Sequence, residues 1–214
     1  MSQTHAAWVA AITLFCGAAV SHAAETPWVY LAAGRFQARS GALRASGPGW
    51  FLSGGVASRR HPTIEWGSEI AVQLAHYDTL HYVVSRWVRP GSHLERVSAT
   101  LLGSIRAGPQ STVVWPHVYG GAGLVFTSLE FPGSTFGFPG SIDRERRLSL
   151  CGALGAGIDV EAGKRCAIGF EVRRWWTTRT DFGPLTPDAM DLGGLTAAVA
   201  VRLQPKPRPR HSHF

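Results

Sequence analysis

Residues 148–176, LSLCGALGAGIDVEAGKRCAIGFEVRRWW, alternate with a period of two, which leaves little freedom in what the chain can become. Leu148, Leu150, Leu154, Ile158 and Val160 share one parity. After Glu161-Ala162-Gly163 the alternation resumes, with Cys166, Ile168, Phe170 and Val172 set against Arg165, Glu171 and Arg173. Side chains that repeat every second residue line one face of a strand, whereas a helix repeats every 3.6. The stretch therefore predicts a β-hairpin. Directly opposed residues of an antiparallel pair point to the same face. A three-residue loop centred on Ala162 meets that condition by pairing Val160 with Lys164, Asp159 with Arg165, Ile158 with Cys166, Leu154 with Phe170 and Ala153 with Glu171. A two-residue loop sets every apolar residue against the polar face, so the three-residue loop is the expectation. The polar face holds Ala153, Gly155, Gly157, Ala167 and Gly169 among its charges. Small residues mixed with isolated charges suit the crowded interior of a narrow barrel better than a water-washed sheet.

Six further segments keep the same rhythm: 28–39, 50–59, 64–77, 97–106, 113–131 and 193–203. The clearest is 64–77, with Ile64, Trp66, Ile70, Val72 and Leu74 against Glu65, Gly67, Glu69 and Gln73. In 28–39, Trp28, Tyr30, Ala32, Gly34 and Phe36 read as the apolar face, and Leu31, Arg35, Gln37 and Arg39 as the polar one. In 113–131, apolar on both faces in part, His117, Tyr119 and Thr127 share a parity. With the hairpin this makes eight strands. Their connections alternate in length. Tight turns fall at 60–63, 108–111 and 161–163, and long segments rich in Gly, Pro and Ser at 40–49, 78–95, 132–146 and 178–191. An even strand count with short turns on one rim and long loops on the other is the pattern of an all-β, eight-stranded, antiparallel up-and-down transmembrane β-barrel of the outer membrane. The long loops would face outward and both termini the periplasm.

The N-terminal region agrees. An apolar run over 6–20 followed by Ser21-His22-Ala23 predicts a secretory signal peptide over 1–23, although its start carries no Lys or Arg. Cys16 follows the bulky Phe15, which argues against a lipoprotein signal. Past this segment no run approaches the ~18 apolar residues of a membrane-spanning helix. The barrel is expected over 24–203, with 204–214 as a Pro/Arg-rich periplasmic tail, extended by its alternation of Pro with Lys or Arg. Cys151 and Cys166 fall on opposite faces, Cys151 toward the lumen and Cys166 toward lipid, so two free thiols are expected.

Three segments resemble the closing strands of the eight-stranded outer-membrane barrel superfamily that includes the OmpA, OmpX and OmpW types: HVYGGAGLVF (117–126), LGAGIDVEAGKRCAIGFEVRRWW (154–176) and GLTAAVAVRL (194–203). The resemblance spans nearly the whole chain past the signal segment. It implies a monomeric barrel inserted by the barrel-assembly machinery and surrounded by outer-membrane lipids and lipopolysaccharide, whose phosphates Arg144, Arg146 and Arg147 at one long loop could pair. Members commonly end on the last strand with an aromatic residue, whereas here that strand runs on into 204–213 before Phe214.

A soluble barrel with its apolar face inward is the rival reading. Tryptophan placement opposes it: Trp28, Trp50, Trp66, Trp87, Trp115, Trp175 and Trp176 fall near strand ends, as in the girdles at the two membrane interfaces. The lipid face is expected to hold no charge, since Arg or Lys at mid-membrane costs ~2–4 kcal/mol. The lumen then carries Arg35, Arg59, Glu65, Glu69, Arg106, Asp159, Arg165, Glu171, Arg173 and Arg202. Eight strands leave room for little but side chains, so these charges are expected to plug the barrel rather than line a channel. His76, Asp78, His81, Ser92, His93 and Glu95 gather at the outer end of one hairpin, the place where some small outer-membrane barrels carry lipid A deacylase or acyltransferase residues. No strand carries the His-x-Ser pair expected of a deacylase, so no enzyme is predicted. Metal-ligand spacing, a phosphate-binding loop and a hydrolase elbow are also missing, and neither metal nor cofactor is expected. The basic balance of a secreted barrel does not imply nucleic acid. The expected role is structural or interactive, through the external loops. Alternatives are passage of small hydrophobic molecules, as OmpW-type proteins suggest, and lipid A modification.

Overall fold

The computed structural model describes residues 27–38, 44–45, 47–61, 63–78, 93–109, 113–130, 144–181 and 191–204. The expected signal segment 1–23, most of the tail, Trp87, His81 and Ser92 lie outside them. The described residues contain strands and no helix. The strands are β1 (Trp28–Ala38), β2 (Arg44–Ala45), β3 (Gly49–His61), β4 (Ile64–Asp78), β5 (His93–Ala107), β6 (Val114–Glu130), β7 (Arg144–Gly163), β8 (Cys166–Thr177) and β9 (Gly194–Leu203).

Every long strand pairs antiparallel with its chain neighbour, and β1 pairs with β9, which closes eight strands into a barrel. The two-residue β2 adds only a short patch on β4. Starting at Ile64 and following paired residues through Ala107, Val118, Ala156, Val172, Ala197, Arg35 and Trp50, one circuit returns to β4 at Leu74, ten residues further on. A stagger of that size goes with strands tilted by about 40°. The expected distribution of connections holds: β3–β4, β5–β6 and β7–β8 join on one rim, and the long segments after β1, β4, β6 and β8 leave from the other.

The outside is apolar, with Leu31, Leu52, Leu124, Leu148, Leu154, Phe170 and Val199 exposed. The inside holds Glu65, Glu69, Arg106, Asp159, Glu171, Arg173 and Arg202, all buried. This inversion of a soluble barrel is what a lipid environment requires, since the closed sheet leaves no open strand edge and the ion-paired groups are kept from the hydrocarbon.

Four expectations need correction. The β7–β8 hairpin turns at Lys164-Arg165 rather than at Ala162, so that Ile158 faces Phe170 and Val160 faces Ile168. A two-residue turn is possible because a bulge lies beside it. Glu161 pairs with Ala167 and Gly163 with Cys166, leaving Ala162 as the extra residue that restores apolar-to-apolar pairing. The β3–β4 turn carries a similar irregularity between Ser58 and His61. Second, β1 is inverted: Tyr30, Ala32 and Phe36 point inward, and Leu31 and Arg35 outward. Third, only part of the tryptophan set forms girdles. Trp50 (60% exposed) and Trp176 (39%) sit at the long-loop end and Trp66 (59%) at the short-turn end, but Trp115 (6%) and Trp175 (2%) are buried inside, and Trp28 shares the inward parity. Fourth, the outer face is not free of charge, because Arg35 and Arg174 stand on it.

Candidate functional site

The lumen is where the chain concentrates its ionisable groups, and small residues make room for them. A Cβ on Gly121 would come within 2.8 Å of the Tyr119 hydroxyl, and one on Gly55 within 2.8 Å of that of Tyr30. A Cβ on Gly157 would lie 2.8 Å from the His117 ring. These three glycines face inward and allow large polar side chains to cross a narrow bore.

The centre of the lumen is Glu69 on β4. Its Oε1 accepts a hydrogen bond from Arg173 Nη1, and its Oε2 accepts from Tyr30 at 2.6 Å and from Tyr119 at 3.2 Å. Arg173 also pairs with Glu171, two residues before it on the same face of β8. Its guanidinium lies 4.0 Å from the centre of the Tyr119 ring, while that of Arg106 lies 4.4 Å from the Tyr30 ring. Arg106 reaches Glu65 at 3.5 Å and Glu171 at 3.9 Å. Toward the short-turn end, Arg202 on β9 crosses to both Glu65 and Asp159 and lies 5.2 Å from the Trp115 ring. His117 is stacked on Trp115 with ring centres 4.7 Å apart, and its Nδ1 is 4.0 Å from Asp159.

Four carboxylates (Glu65, Glu69, Asp159 and Glu171) thus meet three guanidiniums (Arg106, Arg173 and Arg202) in one connected cluster. Above it the interior turns apolar, with Phe36, Phe51, Val125, Leu129, Cys151, Trp175 and Leu192 in one packed group. A fourth cation, Arg96, is buried there among neutral partners. It donates to Ser98 at 2.8 Å, Tyr77 at 3.2 Å and Gln73 at 3.0 Å, with Phe36 5.2 Å beneath it. Ser98 in turn bonds Thr127 at 3.0 Å.

Seven of the ten residues expected in the lumen lie there: Glu65, Glu69, Arg106, Asp159, Glu171, Arg173 and Arg202. Arg35 does not, because inversion of β1 turns it outward, where it stacks on Trp50 at 4.1 Å. Nor does Arg165, which the displaced turn leaves exposed on the rim. Arg59 lies in β3, and its side chain is outside the described ones. Sequence reasoning placed Gln73 on the inward polar face of β4 but did not name it in the network, and it missed Tyr30, Tyr119 and Arg96 as members. Arg96 was hidden because β5 was expected to begin at Val97 whereas it begins at His93.

Of the rim group, His76 stands directly opposite Glu95, 3.8 Å from it, both half-exposed on the outer face. Asp78 pairs with His93 two residues further along the strands. No group of three or more potential metal ligands occurs among the described residues. Cys151 is buried on the inner face, Cys166 has the outward parity, and both are free thiols.

No protein-family model and no curated protein matches the sequence. Solved structures do match in fold. Neisserial surface protein A superposes with a TM-score of 0.55 at 12% identity, over 84% of this chain and 97% of that one. A major outer membrane protein from Thermus thermophilus superposes with a TM-score of 0.52 at 11% identity, over 84% and 99%. At these identities the likeness is one of fold, and the fold is that of the small eight-stranded outer-membrane barrels.

Proposed function

We propose that this chain, a barrel of the outer-membrane type, serves the outer membrane as a structural or surface-interaction protein that acts through its four external loops, without catalysis. The observation that supports this most is the filled lumen. The three arginines of the central cluster all pair with carboxylates drawn from β4, β7 and β8, so ion pairs span the bore. With the interior committed to its own side chains, what remains for recognition is the outer rim. There β4 pairs with β5 as far as Asp78 and His93, and β6 with β7 as far as Glu130 and Arg144, carrying two hairpins beyond the rest of the wall. Recognition placed on loops above a rigid scaffold is a common arrangement.

In this reading the protein is a monomer surrounded by outer-membrane lipids and lipopolysaccharide, inserted by the barrel-assembly machinery, with 1–23 removed and 204–214 left as a periplasmic arm. The test is a set of four variants, each with one long connection replaced by a short Gly-Ser turn, produced in cells lacking the native gene. Each is expected to reach the outer-membrane fraction with the heat-dependent gel shift of a folded barrel, and at least one to lose the surface phenotype of the native chain. Altered lipid A mass profiles on deletion of the gene would instead establish a modifying enzyme, with the His76–Glu95 pair the first place to look. Loss of uptake of small hydrophobic compounds would favour a passage through the apolar upper lumen.

A further inference from the structure

Among the described residues, and below the rim where Arg146 is also exposed, two arginines stand on the outer wall where an apolar surface is needed. Arg35 on β1 and Arg174 on β8 both point outward and are exposed. Arg174 makes no hydrogen bond or ion pair with any described residue, and Arg35 has only the Trp50 ring for company, at 4.1 Å. Each stands beside an exposed girdle tryptophan: Arg35 is directly opposite Trp50, and Arg174 is two residues before Trp176. A cation on the lipid face is tolerated at the interface, where an anionic headgroup can reach it, and not deeper.

The register places the two at one height. Arg35 pairs with Ala197, and Ala197 with Val172. Paired rungs climb from β8 to β1, so the step from Val172 up to Arg174 offsets the climb and brings Arg174 level with Arg35. Two strand spacings and two residues of rise set their Cα atoms on the order of 12 Å apart along the surface. Between and below them β9 presents Leu195, Val199 and Val201, all exposed, as an uninterrupted apolar strip running toward the other rim.

We infer that this face of β8, β9 and β1 binds one lipid carrying two phosphates on a sugar headgroup, the chemistry of lipid A in the outer leaflet, with a phosphate at each guanidinium and the acyl chains along β9. Arginine suits phosphate because its planar donor fork can make paired charge-assisted hydrogen bonds. The inference rests on the barrel sitting in an outer membrane with its long loops outside. It is independent of what the loops recognise.

The test is native mass spectrometry of the folded protein in detergent with three probes offered separately: bisphosphorylated lipid A, monophosphorylated lipid A and phosphatidylglycerol. The native chain is expected to retain bisphosphorylated lipid A at one copy, about tenfold better than either of the others. Arg35→Ala and Arg174→Ala should each abolish the preference for two phosphates over one. The double variant should bind all three probes equally, and Lys164→Ala on the opposite rim should behave as the native chain. All four are surface changes, and the gel shift of unheated protein verifies folding. Equal retention of phosphatidylglycerol and lipid A by the native chain would overturn the inference in favour of a generic anionic-lipid contact, and an unchanged double variant would overturn the site. Absence from the outer-membrane fraction would instead count against the location, since the binding measurement is made in detergent.

Discussion

Glu69 shows how much a single side chain can organise in this lumen. Three donors from three strands converge on its two oxygens, so its removal leaves Arg173 with one carboxylate and two tyrosines with none. Breaking a buried ion pair by deleting one partner costs about 3–5 kcal/mol, because an uncompensated charge remains. Glu69→Ala is therefore expected to lower the stability of the barrel by that order, measured by denaturant unfolding in lipid vesicles. Tyr30→Phe removes one hydrogen bond to a carboxylate and should cost about 1.5–3 kcal/mol. Equal effects from the two substitutions would mean that Glu69 is held by the tyrosine alone. The thiols report on faces. Cys166 should react with a small apolar maleimide in folded protein, whereas Cys151, buried in the packed upper lumen, should react with neither an apolar nor a charged reagent until unfolding.

Among the strands, the β7–β8 hairpin separates what alternation fixes from what it leaves open. The sequence demands that Ile158, Val160, Ile168 and Phe170 share a face, and they do. A three-residue loop and a two-residue turn with an adjacent bulge both satisfy that demand, and composition alone does not choose between them. Because Ala162 is the surplus residue, its deletion should leave a regular hairpin with Val160 still opposite Ile168. The shortened chain is expected to fold with unchanged Cys166 labelling, and loss of the folded gel form would show that the bulge has another duty. β1 failed for a different reason. Both its faces are largely apolar, with Tyr30 and Phe36 on one and Leu31 and Ala33 on the other, so the period was legible and its direction was not. The decisive facts were non-local: Tyr30 reaches Glu69 across the bore, and Arg35 finds Trp50 only once β1 and β3 are in register. Strands with a charged face, such as β4 and β9, were read correctly because burying a charge in lipid is costly enough to settle the direction.

At the scale of the whole barrel, the ion pairs decide what passes. The central cluster fills the lower bore and the apolar group the upper, so the protein reconstituted in a planar bilayer is expected to show no stable ohmic steps at neutral pH. Regular porin-like conductance would refute the plugged lumen and predict that Glu69→Ala combined with Arg106→Ala changes ion selectivity.

The cluster also sets an order of events during assembly. Arg202 and Glu65 are 137 residues apart in sequence, and Arg173 and Glu69 are 104 apart. Neither pair can form while the sheet is open, since each bridges non-neighbouring strands across the bore. Contacts this distant in the chain gain nothing until the loop they close has lost its entropy. An unfinished sheet, its β1–β9 seam still apart, therefore keeps these charges hydrated, and water leaves the bore as the seam closes. Interactions absent from the transition state act mainly on the rate of opening. Weakening them should shorten the lifetime of the finished barrel far more than it slows its insertion, which makes the charged interior a lock on a completed product rather than a guide to building it.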